Sequence, residues 1–392
     1  MDYEKLLCGR ISAVPPSGIR KFFDIVSEMH DVISLGVGEP DFTTPWRCSD
    51  AAIYSLRQGR THYTSNRGLK ELCRLCCEYE ARFGINYDPA SEIMITVGAS
   101  EGIDLALRAL VSPGDEVLVP DPSYVSYMPC VTFSGGKCVP VPTSAENGFI
   151  ITPEAILPLI TPRTKALILP YPNNPTGGIM GREDMERLAS ALKDSDIAVI
   201  ADEIYAELNY TGTPHVSFAS IEGMKERTIT LNGFSKAFAM TGWRMGYACA
   251  PKLILDVMLK IHQYTIMCAP TAGQYAAIEA LKSGLETDFA DVKRMVRQYD
   301  RRRRTIVDGL RRAGLPTHEP LGAFYAFPCI KGTGLSSNEF CVRLLEEQRV
   351  ACVPGDAFGE SGEGYVRCSY ASSLENISEA VRRINIFMEK YR

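Results

Sequence analysis

Apolar runs rich in β-branched residues punctuate the first two thirds of the chain: Glu92–Val97, Glu116–Val119, Lys165–Leu169, Ile197–Ala201 and Thr228–Leu231. Each stops at turn-forming residues. Runs with so little polar alternation fit strands buried on both faces, and helix-like stretches lie between most of them. The pattern predicts an α/β fold, a three-layer α/β/α unit with a mostly parallel sheet, spanning residues 42–285. Thr287–Arg312 is charged throughout but keeps apolar positions at Val292, Met295 and Ile306, which predicts one long helix leading out of that unit. In residues 286–392, short strands within Gly322–Phe327, Ala351–Val353 and Gly364–Ser369 around helices predict a smaller α+β domain. Residues 1–41 are read as an N-terminal arm that returns to it.

The 392 residues, 45% of them hydrophobic, suffice to bury a large core. A net charge of −5 gives no general attraction to nucleic acid or to an anionic membrane surface. The run Arg301–Arg304 is the local exception and reads as a solvated helix face, with a phosphate or partner patch as the alternative. No apolar segment reaches the roughly 18–20 residues that span a bilayer. Met1–Leu7 lacks the basic flank and apolar core of a signal peptide, so a cytoplasmic protein is expected. The odd count of 13 cysteines, without a framework, reads as reduced thiols. Cys73, Cys76 and Cys77 share one helical face, and no second pair completes a zinc site.

The strand ends carry more chemistry than a scaffold needs. Lys236 follows the Thr228–Leu231 strand by a few residues, at the edge where open α/β sheets bind ligands. A lysine there, partly buried near a cation such as Arg244, can lose its proton and become a covalent anchor; a solvated loop lysine is the plain alternative. Gly98–Gly102, with Ala99, Ser100 and Glu101, opens an amphipathic helix with free backbone N–H groups and can cup a phosphate, or can be an ordinary tight turn. Asp202 ends a dry strand, where a carboxylate needs either a helix to cap or a cation to pair. Tyr205 returns over the same edge. Asn174 sits in the proline-stiffened loop Leu169–Gly178 as a fixed amide. Tyr124 can stack on a planar ring or pack into the core. Arg367 alternates with apolar residues and can take a carboxylate on its fork, or pair with a surface acid.

Taken together, Asn174–Gly177, Asp202–Tyr205, Ser235–Arg244 and Tyr365–Ser369 resemble the class I/II aminotransferases of the fold type I pyridoxal-phosphate enzymes, in order and in spacing, from about Val32 to the C-terminus. The resemblance implies pyridoxal 5'-phosphate as cofactor, with Lys236 as its covalent anchor and Asp202 on the pyridine nitrogen. Asn174 and Tyr205 would meet the ring hydroxylate and Tyr124 the ring face. Ala99, Ser100, Ser235 and Arg244 would hold the phosphate. It assigns the substrate α-carboxylate to Arg367, a backbone substrate contact to Gly38, and to Tyr63 a reach to the neighbouring subunit's phosphate, hence a homodimer. The implied reaction moves an amino group between an L-amino acid and a 2-oxo acid; a β-lyase acting on C–S bonds is the alternative on the same fold. Gly233 stands where some relatives carry a phosphate-binding serine, and Ser100 where some aspartate-type relatives carry a lysine. Tyr264–Pro270 lacks the arginine of the dicarboxylate-specific relatives, which weighs against aspartate.

Overall fold

In the computed structural model, which describes residues 1, 3, 5–16 and 29–391, seven strands make one sheet. They are β1 (Ile93–Val97), β2 (Glu116–Asp121), β3 (Lys137–Pro142), β4 (Thr164–Leu169), β5 (Ala198–Asp202), β6 (Thr228–Gly233) and β7 (Met245–Cys249). Their order is β1-β7-β6-β5-β4-β2-β3. Only β7 runs against the rest, pairing antiparallel with β1 and β6. The other pairings are parallel, so six strands present their carboxyl ends at one edge.

Every residue of β2, β5, β6 and β7 is buried. Helices close both faces: Ile103 and Leu107 pack with Leu255 and Met258 over one side, while Met185, Leu188 and Leu192 cover the other. A Leu or Met buried this fully contributes about 1.5–3 kcal/mol.

Two strands lie outside the sequence expectation. β3 reads Lys-Cys-Val-Pro-Val-Pro, and its prolines are tolerated because it is the sheet edge. β7 has no β-branched residue and carries Gly246, where a Cβ would lie 2.5 Å from the backbone of Gly98 and Ala99. Expected strands also run further than read: β2 reaches Asp121, β5 ends on Asp202 itself, and β6 reaches Gly233.

The long charged helix is Ala290–Arg312, starting three residues late because Asp288 and Phe289 take left-handed backbone (φ 50° and 54°) and break it from Thr271–Glu286. Its arginine run is a solvated face only in part: Arg301 and Arg304 are exposed, while Arg302 and Arg303 turn to acids. Arg302 grips Asp41 with both terminal nitrogens at 2.7 and 2.9 Å, and Arg303 is buried on Asp300 and Glu319. Beyond it, Val353–Pro354, Val366–Ser369 and Tyr325–Ala326 form an antiparallel sheet, and Ile33–Ser34 pairs parallel with Val350–Ala351. The core beneath joins Ile306, Phe324, Leu344 and Phe387 to Leu35 and Tyr205. Of the N-terminal arm, residues 17–28 lie outside the described residues.

Cys73, Cys76 and Cys77 are buried on the helix Lys70–Glu80, and burial pushes Cys73 up to about 11 and Cys77 up to about 12, so both stay thiols. Among the described residues no helix is long and apolar enough to cross a membrane.

Candidate active site

The carboxyl ends of β4, β5 and β6 open into a cavity of about 550 Å³. Ala99, Ser100, Tyr124, Asn174, Asp202, Tyr205, Ser235, Lys236, Arg244, Arg367 and Gly38 all line it.

Lys236 sits three residues past β6, where the chain turns tightly towards Ala239 (φ 51°). Its Nζ donates to the Gly38 carbonyl at 2.6 Å and lies 5.7 Å above the Tyr205 ring and 5.6 Å above Phe324. Burial pulls the amine down to about 8; Glu39 opposes the shift, while Arg367 and Arg244 add to it. A useful share of free amine is therefore present near neutral pH.

Asp202 is 5% exposed. Its Oδ2 accepts from the Tyr127 hydroxyl at 2.8 Å and its Oδ1 from the Ile204 N–H at 3.3 Å, so it caps its own turn and still faces the cavity. Burial pushes it up to about 6, against the pull of the Tyr127 hydrogen bond. No cation among the described residues forms an ion pair with it, and Lys236 acts on it less than burial and hydrogen bonding do, so it would gain by meeting one.

The anion cup is built from close backbone approaches. Gly98 takes φ +72° as β1 turns into the helix Gly98–Leu110, and a Cβ there would meet the Arg244 guanidinium at 2.7 Å. Arg244 itself takes φ 55° and donates to the Thr241 carbonyl at 2.9 Å. The first-turn N–H groups of a helix have no partner within it, and with Ser235 and Arg244 they fit a phosphate.

Arg367, 4% exposed, meets no acid among the described residues. Its fork donates to Asn174 Oδ1 at 2.9 Å and to the Gly36 carbonyl at 2.6 Å, between the rings of Tyr325 and Phe358; Nε is buried with no partner among the described residues. The carbonyl side of Asn174 is thereby taken, leaving its amide nitrogen as the donor.

Two expected residues stand apart. The Glu101 carboxylate is not in the cavity wall: it accepts the Val97 N–H at 2.5 Å and meets His262 Nδ1 at 2.7 Å. Tyr63 is 79% exposed and lies outside its own chain's cavity. Sequence reading missed Tyr127 and Tyr325. Tyr127 sits in the quoted Asp121–Tyr127 stretch and was passed over for Tyr124, whose ring it meets edge-on at 5.5 Å. Tyr325, whose hydroxyl bonds that of Tyr205 at 2.8 Å, pairs across the strand with Ser369, two residues past Arg367.

A strand-end lysine with a depressed pKa, facing a buried carboxylate and an anion cup in a mostly parallel sheet, defines a fold type I pyridoxal-phosphate enzyme. The model of the family "Aminotransferase class I and II" matches residues 30–384. The chain is 47% identical to an aspartate aminotransferase of Pyrococcus abyssi over 96% of both chains. It is 45% identical to aromatic-amino-acid aminotransferase 2 of Thermococcus litoralis, over 96% of this chain and 97% of that one. Among solved structures, an aromatic aminotransferase from Pyrococcus horikoshii superposes with a TM-score of 0.89 at 45% identity, covering 94% of this chain and 99% of the other. The chain belongs to the class I and II aminotransferases and is a pyridoxal-phosphate-dependent transaminase.

Proposed function

We propose that the chain transfers the amino group of an L-amino acid with a neutral, aromatic or alkyl side chain to a 2-oxo acid. One observation carries the assignment of roles: the buried amine of Lys236 and the buried guanidinium of Arg367 hydrogen-bond, each at 2.6 Å, to carbonyls two residues apart on the segment Gly36–Gly38. A substrate whose carboxylate replaced the Gly36 carbonyl on Arg367 would bring its α-carbon within reach of Lys236.

Bound in the cavity, pyridoxal phosphate supplies the electron sink for the carbanion formed at Cα. Arg367 fixes the carboxylate and so orients the Cα–H bond. Lys236, as free amine, accepts that proton and gives it back. Asp202 holds a positive charge opposite it, and Tyr127 fixes the carboxylate. Tyr205 and Asn174 offer donors to a ring oxygen, Tyr124 a stacking face, and Ala99, Ser100, Ser235 and Arg244 the phosphate grip. Among the described residues the cations lining the cavity are Lys236, Arg244 and Arg367, all with roles, and Glu39 adds a negative group. That balance supports neutral side chains over a second carboxylate.

The exposed Tyr63 supports a homodimer in which it completes the neighbour's phosphate site. The composition supports a cytoplasmic enzyme, and the packing supports an arm at 1–41, a cofactor-binding domain at 42–285 and a small domain at 286–392. A panel of L-amino acids, scored for bleaching the visible absorbance of the bound cofactor, tests the donor class. Faster bleaching by aspartate than by phenylalanine or alanine would overturn it.

A further inference from the structure

The helix Lys252–Thr265 directs Leu255 and Met258 into the apolar layer that also holds Ile103 and Leu107. At helical spacing the next inward position is 262, and it is a histidine, not another aliphatic residue. Its side chain is fully buried. Nδ1 lies 2.7 Å from Glu101 Oε1, while Nε2 has no partner among the described residues. An apolar residue would fill this place without leaving a buried ring nitrogen unpaired, so the Nδ1 contact is what the histidine adds.

Glu101 lies in the first turn of Gly98–Leu110, and its other oxygen accepts the Val97 N–H at the end of β1. One carboxylate thus clasps both sides of the bend at Gly98, and the ring of His262 holds that carboxylate from behind. The same histidine's backbone carbonyl takes the N–H groups of Ile266 and Met267, and Met267 holds Asn66, three residues from Tyr63.

We propose that His262 is a positioning residue for the anion cup: through Glu101 it fixes the turn whose N–H groups grip the cofactor's phosphate. Without it the Glu101 carboxylate, partly buried beside an anion site, is freed to turn towards that site, where it competes with the phosphate for the same donors. The inference rests on the reading of Ala99 and Ser100 as the phosphate grip.

The test compares equilibrium binding of pyridoxal phosphate and of pyridoxal, which lacks the phosphate, to the cofactor-stripped full chain by quenching of tryptophan fluorescence. His262→Leu keeps the volume and removes the contact; it is expected to weaken pyridoxal phosphate about tenfold, the order of one charge-assisted hydrogen bond, and to leave pyridoxal unchanged. His262→Asn, whose amide can stand where Nδ1 stands, is expected to restore binding, and His262→Gln, which places its amide near Nε2, is not. Unchanged binding of pyridoxal phosphate by His262→Leu, equal weakening of both ligands, or Asn no better than Gln each overturns the proposal. Should His262→Leu fail to fold, the order of Asn and Gln decides alone. A wild-type chain that binds pyridoxal as tightly as pyridoxal phosphate sinks the phosphate-grip reading itself; a wild-type preference that survives His262→Leu sinks only the role of His262.

Discussion

Asp202 and Glu203 are consecutive carboxylates, 5% and 2% exposed, at the end of the same strand, and they live in opposite electrostatic worlds. Glu203 points into the interior and is satisfied there, by His215 Nε2 at 3.0 Å, the Ser217 hydroxyl at 2.9 Å and the Phe218 N–H at 3.1 Å. Asp202 points into the cavity with a phenol and one N–H, and no ion pair among the described residues. Two buried arginines repeat the contrast: Arg303 is paired with Asp300 and Glu319, whereas Arg367 is held by neutral acceptors and keeps Nε unpaired. Burial alone does not mark a working group. A buried charge that faces the cavity with no countercharge among the described residues can take its partner from cofactor or substrate.

The sharpest break between the two regions is expected at Lys236. Lys236→Ala should abolish the visible absorbance of the covalently held cofactor and lower turnover by several orders of magnitude, with little change in Tm. Asp202→Ala comes next: the cofactor stays partly bound, but kcat should fall by ~10²–10⁴-fold, the range of one lost polar group at a reacting centre. Glu203→Gln should do the reverse, lowering stability by about 1–3 kcal/mol through a mispaired His215 while kcat per folded molecule holds. A Glu203 variant with normal Tm and lost turnover would erase the contrast. For the arginines, Arg367→Leu should lower kcat/KM by about 10²-fold or more, mostly through KM. Arg303→Leu should instead destabilise by roughly 1–3 kcal/mol, because Asp300 and Glu319 lose their buried partner and keep only Arg304 and Arg311. Urea unfolding and steady-state kinetics on the same samples separate the two outcomes.

How much of this was legible in the sequence follows the same division. The working groups sit at strand ends, where a break in an apolar run announces Asp202, Lys236 and the Gly98 turn one after another. The interior pairs gave no such signal, because Glu203–His215 and Glu101–His262 join residues that only the folded chain brings together. Glu101 was read as a cofactor contact from its place in the cup, although a side chain at the fourth position of a helix can equally turn back to the preceding strand, as it does. The edge strand β3 was hidden by its prolines and β7, Met-Gly-Tyr-Ala-Cys, by its glycine and its lack of any β-branched residue. Tyr127 lost to Tyr124 because both are aromatic residues in one loop and nothing local says which hydroxyl reaches the acid.

The smallest expected effect probes the cavity's own field. Among the charges around Lys236, Glu39 is the strongest that favours the ammonium form, acting against burial, which favours the free amine. Its carboxylate accepts the Thr241 hydroxyl at 3.0 Å, a contact Gln can keep, so Glu39→Gln removes the charge with little change of shape. The sign follows directly: with the negative group gone the ammonium loses support, and the pKa of Lys236 drops below about 8. Because the amine reacts only when deprotonated, the rate of covalent attachment of pyridoxal phosphate should rise with pH to a plateau, with a midpoint near 8 in the wild type and lower in the variant. Attachment rates of the stripped protein between about pH 6 and 10 measure it. A midpoint that stays put would mean that solvent screens Glu39 from the amine, and a midpoint that rises would mean that Glu39 acts through the position of the Gly38 carbonyl and not through its charge.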